Sequence, residues 1–161
     1  EVLKSVKERS KKNLVSWESF LAIIASNSSE DTLNIIKKIE SSDSFRIEQS
    51  NDQRALYVQF AHNRKKSLET EEGRDFLKST IIKLSKINEY TAVNVIKVFG
   101  NIDDMEGKYH LDLIKVLVDI MSNITPEKMP SVYNTARRLL IGAPIAVGKY
   151  KDKYGEINFI K

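Results

Sequence analysis

Apolar residues recur along most of the chain at spacings of three and four. Leu14, Trp17, Leu21 and Ile24 form one such stripe, Leu77, Ile81 and Leu84 a second, and Leu111, Ile114, Val118 and Met121 a third. A 3.6-residue period places each set on one helix face, so each stripe predicts an amphipathic helix with a buried side. Helix-start residues punctuate the pattern: Asn13, Ser29, Ser50, Thr70, Asn88 and Thr125 can each accept a bond from a free backbone N–H of a first turn. Ser50 with Gln53 has capping-box spacing, and Pro126 follows Thr125 where a first-turn position would not miss its N–H. The acidic pairs Glu30-Asp31 and Glu71-Glu72 fall where a helix dipole favours negative charge.

These signals predict helices over 2–12, 14–26, 30–41, 51–63, 71–86, 89–99, 108–123 and 131–141. Two segments resist. Phe45 to Gln49 alternates, and so do Leu56, Val58 and Phe60, which admits a β-hairpin; helix is preferred for 51–63 because no turn glycine precedes it. Gly142 and Pro144 read as a helix stop, leaving 149–161 as an irregular basic tail in which Ile157 and Phe159 alternate as in a short strand.

Paired in order, the helices begin new hairpins near residues 14, 51, 89 and 131, at intervals of 37, 38 and 42 residues. Helical solenoids repeat on this scale, because one hairpin cannot bury its stripe alone and must stack on the next. The expected fold is therefore all-α: stacked helical hairpins forming an α-solenoid or superhelix in one domain, with a compact helical bundle as the alternative. Two stretches, Leu14-Val15-Ser16-Trp17-Glu18-Ser19-Phe20-Leu21 with Asp31-Thr32-Leu33, and Ser131-Val132-Tyr133-Asn134-Thr135, resemble the helix starts of pentatricopeptide repeats. That family binds single-stranded RNA, and the resemblance implies that Ser19 and Thr135 would face a base.

Composition narrows the chemistry. At 161 residues with 41% hydrophobic content the chain can bury a continuous core, and no apolar run nears bilayer-spanning length, so a soluble chain is expected. The absence of cysteine removes disulfides, thiolate metal sites and thiol catalysis, and fits an intracellular compartment, cytoplasmic or nuclear. Glu1 stands where an initiator Met would, so the chain reads as excised from a longer one. The string Gly142-Ala143-Pro144-Ile145-Ala146-Val147-Gly148-Lys149-Tyr150 has one residue too many between its glycines for a phosphate-binding loop, and Tyr150 stands where Ser or Thr must hold magnesium. His62 and His110 have no acidic or histidine neighbour at i+3 or i+4, and Asp103, Asp104 and Glu106 lack a calcium-loop register, reading instead as a solvated interhelix loop. No cofactor or metal is implied, and a non-enzymatic protein is expected.

The net charge of +4 is unevenly distributed: residues 1–12 carry +3, residues 149–161 carry +2, and the body between them −1. The candidate binding residues are the basic clusters: Lys4, Lys7 and Lys11; Arg64, Lys65 and Lys66; Arg137 and Arg138; and Lys149, Lys151 and Lys153 with Tyr150 and Tyr154. Val2, Leu3 and Val6 supply too little apolar surface to anchor the first cluster in a membrane. The leading expectation is an interaction module that holds a protein or peptide partner on its helical surface. The alternative is RNA or single-stranded nucleic-acid binding, in which cations contact phosphates and tyrosines stack on bases.

Overall fold

The computed structural model describes the backbone of residues 14–161 and the side chains from Trp17 onward. The helix expected over 2–12, with Lys4, Lys7, Lys11 and the cap Asn13, lies outside the described residues. Every regular element among the described residues is helical, with no strand. Contacts divide the chain between Ser67 and Leu68 into two compact units.

In the first unit, α1 (Leu14–Ala25) and α2 (Thr32–Glu40) precede a longer helix, α3 (residues 50–62), and a single turn, α4 (Arg64–Ser67). The α1 stripe is buried as its spacing requires: Trp17, Phe20, Leu21 and Ile24 face inward, and Trp17 stacks on Phe20 with ring centroids 5.6 Å apart. The preferred helix over 51–63 forms. Its middle, Arg54–Val58, is a π-helical turn. Leu56 with Phe60 and Tyr57 with Ala61 are four apart and all fully buried, whereas Val58 is only half-buried, so the apparent two-residue alternation was one edge of a wide helical face. The segment before it forms no strand because the first turn of α3 pins it. Asp52 accepts from the Arg46 N–H at 3.0 Å and from the Trp17 indole, and the Gln53 amide donates to the Ile47 carbonyl. Gln53 thus ties the loop to the first turn of α3. Phe45 closes the core edge-on against Tyr57.

In the second unit, α5 (Glu71–Ile87), α6 (Glu89–Ile96), α7 (Gly107–Ser122), α8 (Pro130–Ile141) and α9 (Pro144–Tyr154) follow one another. α5 packs on α6, α7 on α8 and α8 on α9, and α5 also packs on α7, α6 on α8, and α7 on α9. The result is two layers, α5-α7-α9 and α6-α8, with Leu77, Ile81, Val95, Ile96, Leu117, Ile120, Val132 and Leu140 completely buried between them. Thr70 and Asn88 cap α5 and α6 as anticipated, accepting from Gly73 N and Thr91 N.

Four segments differ from what their local sequence predicts. In α7 the buried face is Leu113, Ile114, Leu117, Ile120 and Met121, while Leu111 and Val118 lie at its half-exposed margins, because α7 is contacted by α5, α8 and α9 and needs a broader face than a single stripe. Thr125-Pro126-Glu127 opens only a turn, with Lys128 N and Met129 N both donating to Thr125 O; Pro130, not Pro126, begins α8. Gly142 and Pro144 separate two helices rather than ending the last one: Pro144 takes the first position of α9, where its missing N–H costs nothing. The stretch from residue 149 is accordingly not an irregular tail, since Lys149 to Tyr154 complete α9, and Ile157 and Phe159 flank a 3₁₀ turn, Asn158–Ile160, rather than a strand.

Candidate functional site

The N-termini of α8 and α9 show how the second unit is tied together. Met129 and Ala143, the residues preceding these helices, make no side-chain capping bond. Each helix is capped from a distance instead. A Glu89 carboxylate oxygen accepts from Ser131 N at 2.6 Å and Val132 N at 3.0 Å, and the two Asp103 oxygens accept from Ile145 N at 2.9 Å and Ala146 N at 2.8 Å. Both carboxylates therefore satisfy two orphan donors and oppose a helix dipole. The acidic loop around Asp103 is thus not merely solvated. Buried Ile102 and Asn101, in the left-handed conformation at φ 60°, fix the turn that aims Asp103 at α9; Asn tolerates that region better than most residues.

The outer grooves of the two layers differ in charge. Between α5 and α7, Arg74 pairs with Asp112 at 3.4 Å and Lys78 with Asp119 at 3.4 Å, and the groove, lined also by Glu71, Asp75 and Lys115, sets four carboxylates against three cations. Between α6 and α8 lies a cavity of about 590 Å³ lined by Val93, Lys97, Ser131, Asn134, Thr135, Arg137 and Arg138. It contains cations and neutral donors but no carboxylate. Arg137 is half-buried and its Nε donates to Phe159 O at 3.1 Å, while Arg138 donates to the Thr135 hydroxyl at 3.3 Å. None of Lys97, Arg137 and Arg138 makes an ion pair among the described residues.

The candidate clusters fare differently. Arg137 and Arg138 share a cavity with Asn134, from the same helix, and with Lys97, which the sequence did not single out because it lies 41 positions from Arg138 along the chain. Arg64 and Lys65 are exposed and Lys66 is half-buried on α4 of the first unit. On α9 much of the basic run has internal partners. Lys149 Nζ lies 3.0 Å from His110 Nδ1, Lys151 pairs with Glu156 at 3.1 Å, and Lys153 sits over the Tyr154 ring. Tyr150 and Tyr154 lie 4.9 Å apart, and burial, followed by the Asp119 and Tyr154 charges, raises the Tyr150 pKa. Thr135 is 5% exposed and donates to the Ser131 carbonyl at 2.7 Å, so the base-facing role implied for it is not open to it; Ser19 is exposed. Buried His110 anchors the α7 start, its Nε2 2.8 Å from the Met105 carbonyl. Among the described residues no group of three or more His, Asp and Glu side chains is placed to hold a metal, and no helix is long and apolar enough to cross a membrane.

Residues 1–132 match the domain of unknown function DUF3458_C, whose description is ARM repeats. The chain belongs to this family. Its layered helices and the offsets of its long-range ties are those of a helical-repeat protein: Trp17 to Asp52, Arg74 to Asp112, Lys78 to Asp119, Glu89 to Ser131 and Asp103 to Ile145 span 35, 38, 41, 42 and 42 residues, one hairpin each. The match to DUF3458_C ends inside α8, so most of the α6/α8 cavity's second wall lies beyond it. Comparison with curated proteins gives no match. Among solved structures, the crystal structure of Legionella pneumophila aminopeptidase A in complex with aspartic acid resembles this chain in fold, with a TM-score of 0.70 and 22% identity over 83% of the chain. The chain spans 16% of the length of that structure.

Proposed function

We propose that this ARM-repeat chain is a non-enzymatic module that binds a protein or peptide partner on its helical surface, and that it does so as one part of a longer aminopeptidase-like protein. The observation that carries the reading is the contrast between the grooves. The α5/α7 groove holds Arg74 and Lys78 in internal ion pairs and carries four carboxylates, whereas the α6/α8 groove leaves three cations and several neutral donors without acidic partners. Stacked repeats produce extended surface rather than a closed reaction chamber, and charge facing out of such a surface favours encounter with a complementary partner. Likeness of fold to the aminopeptidase supports the larger context without supplying its activity.

Two measurements on the purified chain test this. Incubation with a panel of aminoacyl-4-nitroanilides, with and without added zinc, should release no nitroaniline above background; turnover that scales with protein and survives repurification overturns the non-enzymatic reading. Fluorescence anisotropy with rhodamine-labelled peptides of acidic, neutral and basic composition should show saturable binding to at least one class. Absence of saturable binding throughout, at low salt, overturns the module.

A further inference from the structure

We infer that the α6/α8 cavity is a docking site for an acidic polypeptide segment, with Lys97 and Arg138 pairing its carboxylates and Arg137, Asn134 and Ser131 completing the wall. The inference rests on the peptide-binding reading above and assigns it a place and a chemistry. Lys97 and Arg138 are exposed, approach the cavity from different repeats and carry no ion pair. The cavity lining includes Ser131 and Asn134, both exposed and able to donate to carboxylate oxygens. Glu89, four residues before Val93 in the chain, is occupied by the N–H groups of Ser131 and Val132 and does not line the cavity. Uncompensated cations gathered in one groove, beside a sister groove whose cations lie among four carboxylates, are complementary to an anionic partner.

A carboxylate-bearing chain fits better than a nucleic acid. Strand binding needs a cationic track with aromatic faces available for stacking. The only lining side chain that is apolar is Val93, no aromatic lines the cavity, and the tyrosines of α9 lie against each other. A guanidinium reading a carboxylate through two parallel N–H groups needs no such platform.

The test uses the 161-residue chain and a rhodamine-labelled, capped hexaglutamate peptide, followed by anisotropy in low salt, with hexaglutamine and oligothymidylate as comparators. Hexaglutamate should bind saturably, hexaglutamine should not, and added salt should weaken the complex. The double variant Lys97→Glu/Arg138→Glu should bind hexaglutamate at least about tenfold more weakly, while Lys86→Glu, an exposed reversal in the last turn of α5, should bind as the parent does. Both exposed substitutions should leave the circular dichroism spectrum and thermal midpoint unchanged. Equal hexaglutamate affinity in parent and double variant overturns the assignment, as does no binding by the parent. Tighter binding of oligothymidylate through the same two residues overturns the acidic-peptide chemistry. If the double variant loses nothing yet other peptides still bind the chain, the site fails while the module reading stands.

Discussion

The remote caps make a quantitative demand at Asp103. In Asp103→Ala the N–H groups of Ile145 and Ala146, now 2.9 and 2.8 Å from carboxylate oxygens, lose their acceptors together. Replacing an ordinary cap by alanine costs about 1 kcal/mol, and removing the charge from a helix N-terminus adds about 0.3–1 kcal/mol. The two donors are not equivalent. Ile145 is 60% exposed, so water can replace its acceptor, while the Ala146 side chain is fully buried and its N–H is less easily rehydrated. The expected loss is therefore about 2 kcal/mol for Asp103→Ala and about 1 kcal/mol for Asp103→Asn, whose amide oxygen still serves one donor. Urea unfolding followed by circular dichroism should show the midpoint fall with an unchanged slope. Native-state hydrogen exchange should localise the loss, with α9 amides exchanging about thirtyfold faster for 2 kcal/mol. A loss below about 0.5 kcal/mol for Asp103→Ala, or faster exchange spread evenly through the first unit, would refute the capping argument.

Other consequences follow from single contacts. Burial first, and then the hydrogen bond and charge of Glu40, raise the Tyr57 pKa well above its ordinary 10.0. The unfolded chain thus releases this proton near pH 10 while the folded chain keeps it; stability should be unaffected by Tyr57 below that pH and fall by about 1.4 kcal/mol per pH unit above it, a slope that Tyr57→Phe should remove in urea titrations between pH 9 and 11. Leu77 is fully buried and Leu77→Ala should cost about 2–5 kcal/mol, whereas Ile23→Ser, at a position 67% exposed, should move the urea midpoint little; equal effects would contradict the burial pattern. Because the Lys149 ammonium can only donate, His110 Nδ1 must accept and Nε2 must carry the proton toward Met105 O. Long-range ¹H–¹⁵N spectra at neutral pH should show the Nε2–H tautomer, and an Nδ1–H signal would refute the arrangement.

How much of this was legible depends on the distance over which each feature is decided. Thr70 and Asn88 were readable as caps because a cap bonds three residues ahead, within its own helix start. The bond from the Gln53 amide to the Ile47 carbonyl was not readable, because it depends on the loop folded against the helix start. The helix after Pro144 was missed because its N-terminus has no local acceptor, and nothing around residue 144 announces that Asp103 supplies one. The cationic cavity was half visible: Arg137 and Arg138 stand side by side in the sequence, but Lys97 joins them only across the packed pair α6 and α8.

By itself the sequence determined the all-helical character, most helix positions and the hairpin spacing near 40 residues. These depend on apolar spacing and first-turn chemistry, which act within a few residues. Only the tertiary structure decided which carboxylate caps which helix, which basic residues are neutralised internally and which groove keeps its charge free. Those outcomes pair residues one repeat apart, and the register in which side chains meet across that gap is set by how the hairpins stack.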